Sequence, residues 1–244
     1  MESVSEYCTK TEFILKVIGA KHLYYYFRNW TCIKEEELQE KNCLLLGHPH
    51  GVFNLGFVMN NHEYYPSVKC CASRVLLSIP ISGLIFKLLG AKDVSAKNIK
   101  NMCEKGENFG LIPGGFEEAT LNTTKENRLY LKKRKGFMKY ALKYGYKIYP
   151  SFVFGENQLY NCVEMSLNKY KLPGVIAYSR NLIFPDHTKE LHTVIGKPFI
   201  VPKIENPTTE EVNKYHEQYI QFVVDLYDRH KEKYGEGKKE LVIY

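Results

Sequence analysis

Residues 43–51 read Cys-Leu-Leu-Leu-Gly-His-Pro-His-Gly. The short apolar run at the start of this stretch is typical of a strand buried inside a sheet. We therefore predict a buried strand over 43–47, with the polar His-Pro-His-Gly segment at its end. In α/β proteins the loops that follow strands carry binding and catalytic side chains, so residues 48–51 are the first candidate site.

Short apolar runs rich in β-forming residues alternate with helical patterns along the rest of the chain. The predicted strands cover residues 43–47, 67–72, 109–113, 147–154, 175–178 and 194–201. The predicted helices cover residues 11–30, 79–89, 95–104, 135–144 and 208–234. Strands separated by helices predict an α/β sandwich with a mixed, mostly parallel sheet flanked by helices.

The helix predicted over 208–234 has the most complete start and stop signals. Pro207 precedes it, and Thr208 and Glu211 form the pattern of a capping box. Apolar residues then recur at steps of three and four positions, as they do on the buried face of a helix. Gly235 follows the last of them and is predicted to end the helix.

The composition is that of a globular chain long enough to bury a hydrophobic core. Of 244 residues, 44% are hydrophobic and 14% are aromatic, which excludes a disordered chain. The net charge of +7 favours an anionic partner: nucleic acid, an anionic membrane surface or a phosphorylated substrate. Nucleic acid is not predicted, because no helix-turn-helix, zinc-finger or RNA-binding signature accompanies the charge. The seven cysteines include no Cys-x-x-Cys pair, so we expect neither a disulfide framework nor a zinc site. Their usage is that of a protein in a reducing compartment.

Two features bear on membrane attachment. Residues 1–10 contain no apolar run, so we expect no signal peptide, and the chain has no run of about 18 apolar residues that would form an ordinary spanning helix. Residues 75–91 come nearest, and they predict either a buried helix or a segment that dips into one face of a bilayer. We divide the chain into an N-terminal helical, membrane-proximal segment over 1–39 and a single domain over 40–244.

His48 and His50 flank a stiff proline and are followed by Gly51. Histidine titrates near neutrality and can remove a proton from a hydroxyl nucleophile, so the segment predicts a positioned general base. Two alternatives stay open. The histidines could be polar loop residues, or metal ligands two positions apart, although no further cluster of His, Cys or Asp lies nearby in the sequence.

Residues 113–119, Pro-Gly-Gly-Phe-Glu-Glu-Ala, follow another apolar strand. Gly114 and Gly115 allow a close approach of the backbone to a ligand and can turn amides toward an anion or oxyanion. The acidic residues could orient a histidine. An ordinary strand-to-helix turn is the alternative, and a P-loop is excluded because no Gly-Lys-Ser/Thr follows.

Eight basic residues and no acidic ones lie within 128–147. Arg134, Lys135 and Gly136 are predicted to begin a helix, where amide donors and the helix dipole favour an anion. Phosphate groups of a substrate or of lipid headgroups would fit there. The alternative is a solvated basic face.

Residues 154–157, Phe-Gly-Glu-Asn, end a further apolar strand. The carboxylate of Glu156 and the amide of Asn157 beside a glycine are again typical of a site at a strand end.

Together these segments resemble the type-2 diacylglycerol acyltransferase family, which includes monoacylglycerol and wax-ester acyltransferases. The segments that carry the resemblance are His-Pro-His-Gly at 48–51, Gly-Gly-x-x-Glu at 114–118, Arg-Lys-Gly-Phe at 134–137, Phe-Gly-Glu-Asn at 154–157 and the stretch 194–202. They occur in the family's order and at its spacing, and they cover roughly residues 40–235.

The resemblance implies a glycerolipid acyltransferase-like fold lying on a membrane. It implies transfer of a fatty acyl group from acyl-CoA to a glyceride hydroxyl, foremost diacylglycerol to triacylglycerol, at the cytosolic face of the endoplasmic reticulum. Acyl-CoA would be the co-substrate, with no metal or prosthetic group. The expected partners are acyl-CoA, a lipid alcohol and the membrane surface, and the oligomeric state is not predicted.

The resemblance also implies roles for individual residues. His50 or His48 would be the base in a ternary complex, with Glu118 as the orienting carboxylate, because no histidine here has Asp five residues later, as the wider superfamily does. Amides near Gly114 and Gly115 would stabilise the oxyanion. The expected substrate-binding residues are Gly51, Gly114, Gly115, Arg134, Lys135, Gly136, Glu156 and Asn157.

Two departures from the family pattern bear on attachment and acceptor choice. No hydrophobic hairpin precedes residue 40, and Tyr26-Phe27 is followed by Arg28 where the family has proline. Alternative acceptors are monoacylglycerol, a long-chain alcohol or a sterol-like alcohol. The alternative from another class is a non-catalytic lipid-binding protein, against which the presence of both histidines and Glu118 argues.

Overall fold

The computed structural model describes residues 26–64, 67–78, 80–88, 90–164, 175–180 and 184–244, and a seven-stranded sheet runs through its centre. In chain order the strands are β1 (Asn29–Lys34), β2 (Cys43–His48), β3 (Lys69–Ala72), β4 (Lys92–Asp93), β5 (Phe109–Leu111), β6 (Asn127–Leu129), β7 (Lys147–Phe154), β8 (Asn161–Glu164), β9 (Val175–Tyr178), β10 (Glu190–Ile195) and β11 (Leu241–Ile243). The order across the central sheet is β1-β10-β7-β2-β5-β3-β4, and β6 with β11 and β8 with β9 form two small sheets.

The middle of the central sheet is parallel. β2 lies between β5 and β7 and runs parallel to both, and β3 and β4 continue in the same direction. β10 is antiparallel to β7, and β1 is parallel to β10. The carboxyl ends of β2, β5, β3 and β7 therefore meet at one edge of the sheet, which we call the carboxyl edge. The amino ends of β10 and β1 complete it.

β2 is buried because it is covered on both faces. Leu44 and Leu46 belong to one hydrophobic cluster, and Leu45 belongs to the other. Each of the three is at most 1% exposed. Burying a leucine fully contributes about 1.5–3 kcal/mol relative to exposure, so this strand anchors both layers of the core. The buried strand predicted at this position is confirmed.

The helices lie on the two faces of the sheet. In chain order those described are α1 (Leu55–Tyr64), α2 (Arg74–Ser78), α3 (Pro80–Leu88), α4 (Ala96–Glu104), α5 (Gly115–Thr120), α6 (Gly136–Tyr144) and α7 (Thr209–His230), with a 3-10 turn at Glu156–Gln158. The capping box of Thr208 and Glu211 is present at the start of α7. Tyr219, Val223 and Leu226 of α7 are fully buried against the sheet.

The predicted α/β class, with a mostly parallel sheet flanked by helices, is confirmed. The strand predicted over 194–201 is misplaced, because β10 covers Glu190–Ile195. The start of β10 is polar in sequence, and it becomes a strand because it pairs on both sides, with β1 and with β7.

The helix predicted over 11–30 falls mostly outside the described residues. Where it can be compared it is wrong at 29–30, which begin β1. β1 is an edge strand of the central sheet, held by pairing with β10. Residues 29–34 of the N-terminal segment predicted over 1–39 therefore form part of the main domain's sheet.

The segment 75–91 contains most of α2 and all of α3, which follow β3 at the carboxyl edge. At Gly83 a Cβ atom would overlap the carbonyl oxygen of Leu77, so the close contact of the two helices requires glycine. Val75 and Leu84 are each 57% exposed and are not core residues. None of the described helices has both the length and the apolar character needed to cross a bilayer.

Candidate active site

His48 is the last residue of β2 and is completely buried. Its Nε2 lies 3.0 Å from the hydroxyl of Tyr219 in α7, and within the described ranges its Nδ1 has no hydrogen-bond partner. Burial lowers the pKa of His48 to about 3, so the ring is neutral at physiological pH. The geometry makes His48 an enclosed contact between the sheet and α7.

His50 differs from His48 in both exposure and hydrogen bonding. It is half-buried, and its Nδ1 lies 3.1 Å from the carbonyl oxygen of Gly51. A carbonyl oxygen only accepts, so Nδ1 carries the proton and Nε2 carries the lone pair. Burial lowers the pKa of His50 below its usual value, which favours the neutral ring. His50 therefore has the tautomer that a general base requires.

Glu118 holds the backbone of the histidine loop. It is 2% exposed, and its Oε1 accepts a hydrogen bond of 2.5 Å from the amide of His50. Its Oε2 accepts one of 2.7 Å from the amide of Tyr130. Burial raises the pKa of Glu118 to about 7, against the lowering effect of these two amides. The expectation that Glu118 orients a histidine ring is corrected: it contacts the main chain of His50.

The glycine pair at 114–115 fits closely against this carboxyl group. At Gly114 a Cβ atom would overlap Glu118, and Gly115 has φ of +58° and begins α5. Position 114 requires glycine because no side chain fits beside Glu118. Position 115 favours glycine because its backbone is left-handed. The two predicted segments, 48–51 and 113–119, are thus brought together through Glu118.

Glu156 supports the same loop from the other side. Its Oε1 accepts from the amide of Leu55 at 2.8 Å, and its Oε2 from the amide of Gly56 at 2.9 Å. These are free amides of the first turn of α1, so the carboxylate acts as an N-terminal cap supplied from the 3-10 turn after β7. Burial raises the pKa of Glu156 to about 7. Each oxygen accepts one backbone amide, so Glu156 holds the loop, and its expected role in substrate binding stays a prediction.

Gly51 shows how tightly Glu156 fits. Its φ is +56°, and a Cβ atom there would lie 2.6 Å from Cγ of Glu156. Any side chain at this position would be strained in the backbone and would collide with the carboxylate arm. Glycine at this position therefore lets the loop close over Glu156, and the expected substrate-binding role of Gly51 stays a prediction.

Asn157 joins the 3-10 turn to the segment after α5. Its Nδ2 donates to the carbonyl oxygens of Thr123 at 2.9 Å and Glu126 at 3.0 Å. Asn157 is 3% exposed. Its amide group therefore holds two loops together, and its expected role in substrate binding stays a prediction.

The basic residues at the start of α6 already have partners. The Arg134 guanidinium forms an ion pair with Glu117 and lies 5.2 Å from the centre of the Tyr130 ring. Lys135 Nζ donates to Oδ1 of Asn213 at 2.7 Å. Both cations keep further N–H donors beyond these contacts, and Nε of Arg134 is buried without a hydrogen-bond partner in the part of the chain that the structure describes. A Cβ at Gly136 would meet nothing within 4 Å, so its surroundings are open.

Tyr219 and Asn54 were missed by the sequence reasoning. Tyr219 was assigned only to the apolar face of the last helix, and its position among apolar residues gave no sign that its hydroxyl meets His48. Asn54 has φ of +52° and is 1% exposed, and its Nδ2 donates to the carbonyl oxygen of Pro49 at 3.3 Å. An asparagine just before a helix is the one local signal that would have found it.

The His48–Pro49 peptide bond is cis. In the part of the chain that the structure describes, no three His, Cys, Asp or Glu side chains converge on a metal-sized space.

Comparison with known proteins agrees with this arrangement. The chain matches the diacylglycerol acyltransferase family model over residues 5–244. It is 30% identical to diacylglycerol O-acyltransferase 2-like protein 6 of Mus musculus, over 86% of this chain and 76% of that protein. It is 30% identical to diacylglycerol O-acyltransferase 2 of Dictyostelium discoideum, over 86% and 73%. It is 27% identical to diacylglycerol O-acyltransferase 2 of Homo sapiens, over 89% of this chain and 65% of that protein.

A solved structure shows a similar fold. The 1-acyl-sn-glycerophosphate acyltransferase of Thermotoga maritima superposes with a TM-score of 0.57, covering 89% of this chain and 79% of its own, at 16% identity. At that identity the likeness concerns the fold alone. The family model, by contrast, covers almost the whole chain. The chain therefore belongs to the diacylglycerol acyltransferase family, and it is an acyltransferase.

Proposed function

We propose that the protein transfers a fatty acyl group from acyl-CoA to the free hydroxyl of diacylglycerol, with His50 as the general base. One observation carries the choice of base: Nδ1 of His50 lies 3.1 Å from the carbonyl oxygen of Gly51, so the lone pair is on Nε2. His48 is fully enclosed and has its Nε2 engaged with Tyr219. Of the two rings, His50 is the one that a hydroxyl can reach.

The proposed reaction is direct transfer in a ternary complex. The acceptor O–H proton passes to Nε2 of His50 as the oxygen attacks the thioester carbonyl carbon. Amides of the turn at Gly114 and Gly115 stabilise the oxyanion that forms. The C–S bond then breaks, and the departing thiolate takes the proton from the His50 imidazolium. The products are the ester and free coenzyme A, and His50 returns to its neutral form.

The proposed setting is the cytosolic face of the endoplasmic reticulum membrane. Three exposed apolar side chains, Phe53, Val75 and Leu84, belong to segments that leave the carboxyl edge, where His50 also lies. Phe53 is 54% exposed and sits three residues after His50. Apolar surface beside the base would let an acceptor enter from the lipid phase.

The acceptor is tested by direct product analysis. Membranes containing the protein are incubated with labelled acyl-CoA and, separately, diacylglycerol, monoacylglycerol, a long-chain alcohol and a sterol, and membranes lacking the protein are the control. We expect labelled triacylglycerol above the control. An ester formed only with another acceptor would replace diacylglycerol in the proposal. Bound lipid without ester from any acceptor would mean a non-catalytic lipid-binding protein.

A further inference from the structure

A depression of about 300 Å³ opens at the carboxyl edge beside the 3-10 turn. Its walls come from the segments that follow α5, β7 and β9 and from those that precede β10 and β11. Five separate parts of the chain thus converge on it. None of the positions that the sequence marked as a site lines it.

The depression is strongly cationic. Arg180, Lys189 and Lys239 line it, and the one acidic residue in its wall is Asp186. Asp186 already accepts hydrogen bonds from Thr188, through its amide at 3.0 Å and its hydroxyl at 2.7 Å. Within the described ranges, no carboxylate forms an ion pair with Arg180 or with Lys189. Arg180 and Lys189 are thus opposed in this wall by a single carboxylate, Asp186, with which Lys189 interacts electrostatically.

Lys239 connects the depression to the framework of the active site. Its Nζ lies 3.2 Å from Oε1 of Glu236 and 3.4 Å from Oδ1 of Asn157. Glu236 is 1% exposed and also accepts from the amide of Gly155 at 3.3 Å. Asn157 and Gly155 flank Glu156, which holds the histidine loop. The cationic wall is thus fixed in position relative to His50.

The other lining groups suit a phosphate. Thr124 and Asn161 add a hydroxyl and an amide to the guanidinium and ammonium groups. Phosphate oxygens accept several charge-assisted hydrogen bonds at once, and arginine and lysine are the side chains that most often supply them. The cations first expected to bind phosphate, Arg134 and Lys135, are engaged with Glu117 and Asn213. Arg180 and Lys189 add their positive charge to a concave space in which Asp186 is the one carboxylate of the wall.

We propose that this depression binds the phosphate groups of a substrate, with the reacting end of that substrate reaching His50. The proposal rests on the function proposed above. Coenzyme A carries a diphosphate and a 3′-phosphate at a distance from its thioester, so an acyl donor needs two adjoining subsites. A phosphorylated glycerolipid would bring the same chemistry in its headgroup. The shared requirement is a phosphate ester, and the two sources are separated by experiment.

The test uses the full chain in neutral detergent micelles and a double variant, Arg180→Ala with Lys189→Ala. The matched control is Lys41→Ala with Lys105→Ala, which removes two exposed charges next to the amino ends of β2 and β5, at the opposite edge. Dissociation constants are measured by calorimetry for coenzyme A, pantetheine and micelles doped with phosphatidic acid. Losing two charge-assisted contacts should weaken binding of a phosphate probe about tenfold or more.

The expected result is weaker binding of coenzyme A to the Arg180/Lys189 variant only, with pantetheine unchanged. Weaker binding of phosphatidic acid micelles instead would assign the same site to a lipid phosphate. Unchanged affinity for both phosphate probes would overturn the proposal, whatever the enzymatic activity. The readout is binding, so the two proposals can fail separately. A wild type that binds coenzyme A through these residues but forms no ester would overturn only the proposed function.

Discussion

Two histidines separated by one residue have opposite environments. His48 is fully buried, with its Nε2 engaged by Tyr219, whereas His50 is half-buried and is held through Nδ1 by the Gly51 carbonyl. β2 ends at His48, so His50 lies in the loop beyond the strand, with a proline between the two side chains. A neutral buried ring contributes packing, and a partly exposed ring with its lone pair on Nε2 can accept a proton. Of the two, His50 is therefore the histidine that we propose as the base.

The first prediction concerns His50→Ala. Loss of a general base should lower kcat by about 10²–10⁴ while the melting temperature stays close to that of the wild type. In the wild type the base works in its neutral form, so activity should fall as pH drops through the His50 pKa, which lies below its ordinary value of 6.5. Protonation of the His50 ring should therefore add an acid limb to the pH–rate profile with its midpoint below 6.5. Wild-type rates from the alanine variant would refute this role.

The second prediction concerns Glu118→Gln. The amide group of glutamine would point a donor at the amide of either His50 or Tyr130, both of which now donate to Glu118. Losing a charge-assisted hydrogen bond costs about 1.5–3 kcal/mol, and we expect kcat to fall about 10-fold or more as the loop shifts. Because Glu118 contacts the backbone, the acid limb of the pH–rate profile should keep its midpoint. A displaced midpoint would mean that the carboxylate acts on the imidazole.

At the scale of elements, the loop between β2 and α1 is held by two buried carboxylates from different parts of the fold. Glu118 comes from α5, and Glu156 comes from the turn after β7. Each accepts two backbone amides, and three of the four belong to the loop and the first turn of α1. A loop tied at both ends keeps His50 in one place, which efficient proton transfer requires.

The third prediction compares two glycines. Gly51→Ala places a Cβ against Glu156 at φ of +56°, so we expect the free energy of unfolding to fall by about 1–3 kcal/mol and activity to be largely lost. Gly136→Ala meets nothing within 4 Å at the first position of α6. It should be neutral or stabilising by up to about 1 kcal/mol. Urea denaturation measures both, and equal effects would contradict the packing described here.

An activity assay on Gly136→Ala also tests the substrate-binding role expected from the sequence. If acyl-CoA passes against the backbone there, the variant should show a raised KM without a loss of stability.

At the scale of the molecule, the carboxyl edge gathers the histidine loop, the two carboxylates, the cationic depression and the exposed apolar side chains. The parallel arrangement of β2, β5, β3 and β7 explains this, since their carboxyl ends all open on the same side. Val75 and Leu84 belong to helices that leave this edge after β3. In the membrane setting that we propose, a bilayer at this edge would present its lipids to His50.

The fourth prediction concerns attachment to the membrane. Val75→Asp with Leu84→Asp removes two exposed apolar side chains and should shift the protein from sedimenting with vesicles toward the supernatant. The control is Ile200→Asp, which changes a side chain 66% exposed in the segment after β10, away from the carboxyl edge. High salt should release only part of the wild type, because burial of apolar surface is not screened as charge attraction is. Equal sedimentation of both variants would place the docking surface elsewhere.

Local features of the chain could be predicted because they depend on near neighbours. The apolar run 43–47 has no polar side chain to leave exposed, so it can only be a buried strand, and a polar segment directly after it must lie at the sheet's edge. The capping box at Thr208 and Glu211 is a contact within one helical turn, so the sequence predicts it as well. The start of β10 could not be predicted in this way, because it is polar and its pairing partners, β1 and β7, are distant in the sequence.

What each polar group does was decided by the tertiary structure alone. His48 meets Tyr219 across 171 positions of the chain, His50 meets Glu118 across 68, and Leu55 meets Glu156 across 101. No local pattern shows which distant amide will donate to a given carboxylate. Glu156 and Asn157 therefore looked like binding residues in the sequence, whereas in the structure their side chains contact the backbone of neighbouring loops. Arg180 and Lys189 lie in no motif. They form a cationic surface only because the fold brings five segments of the chain around one depression.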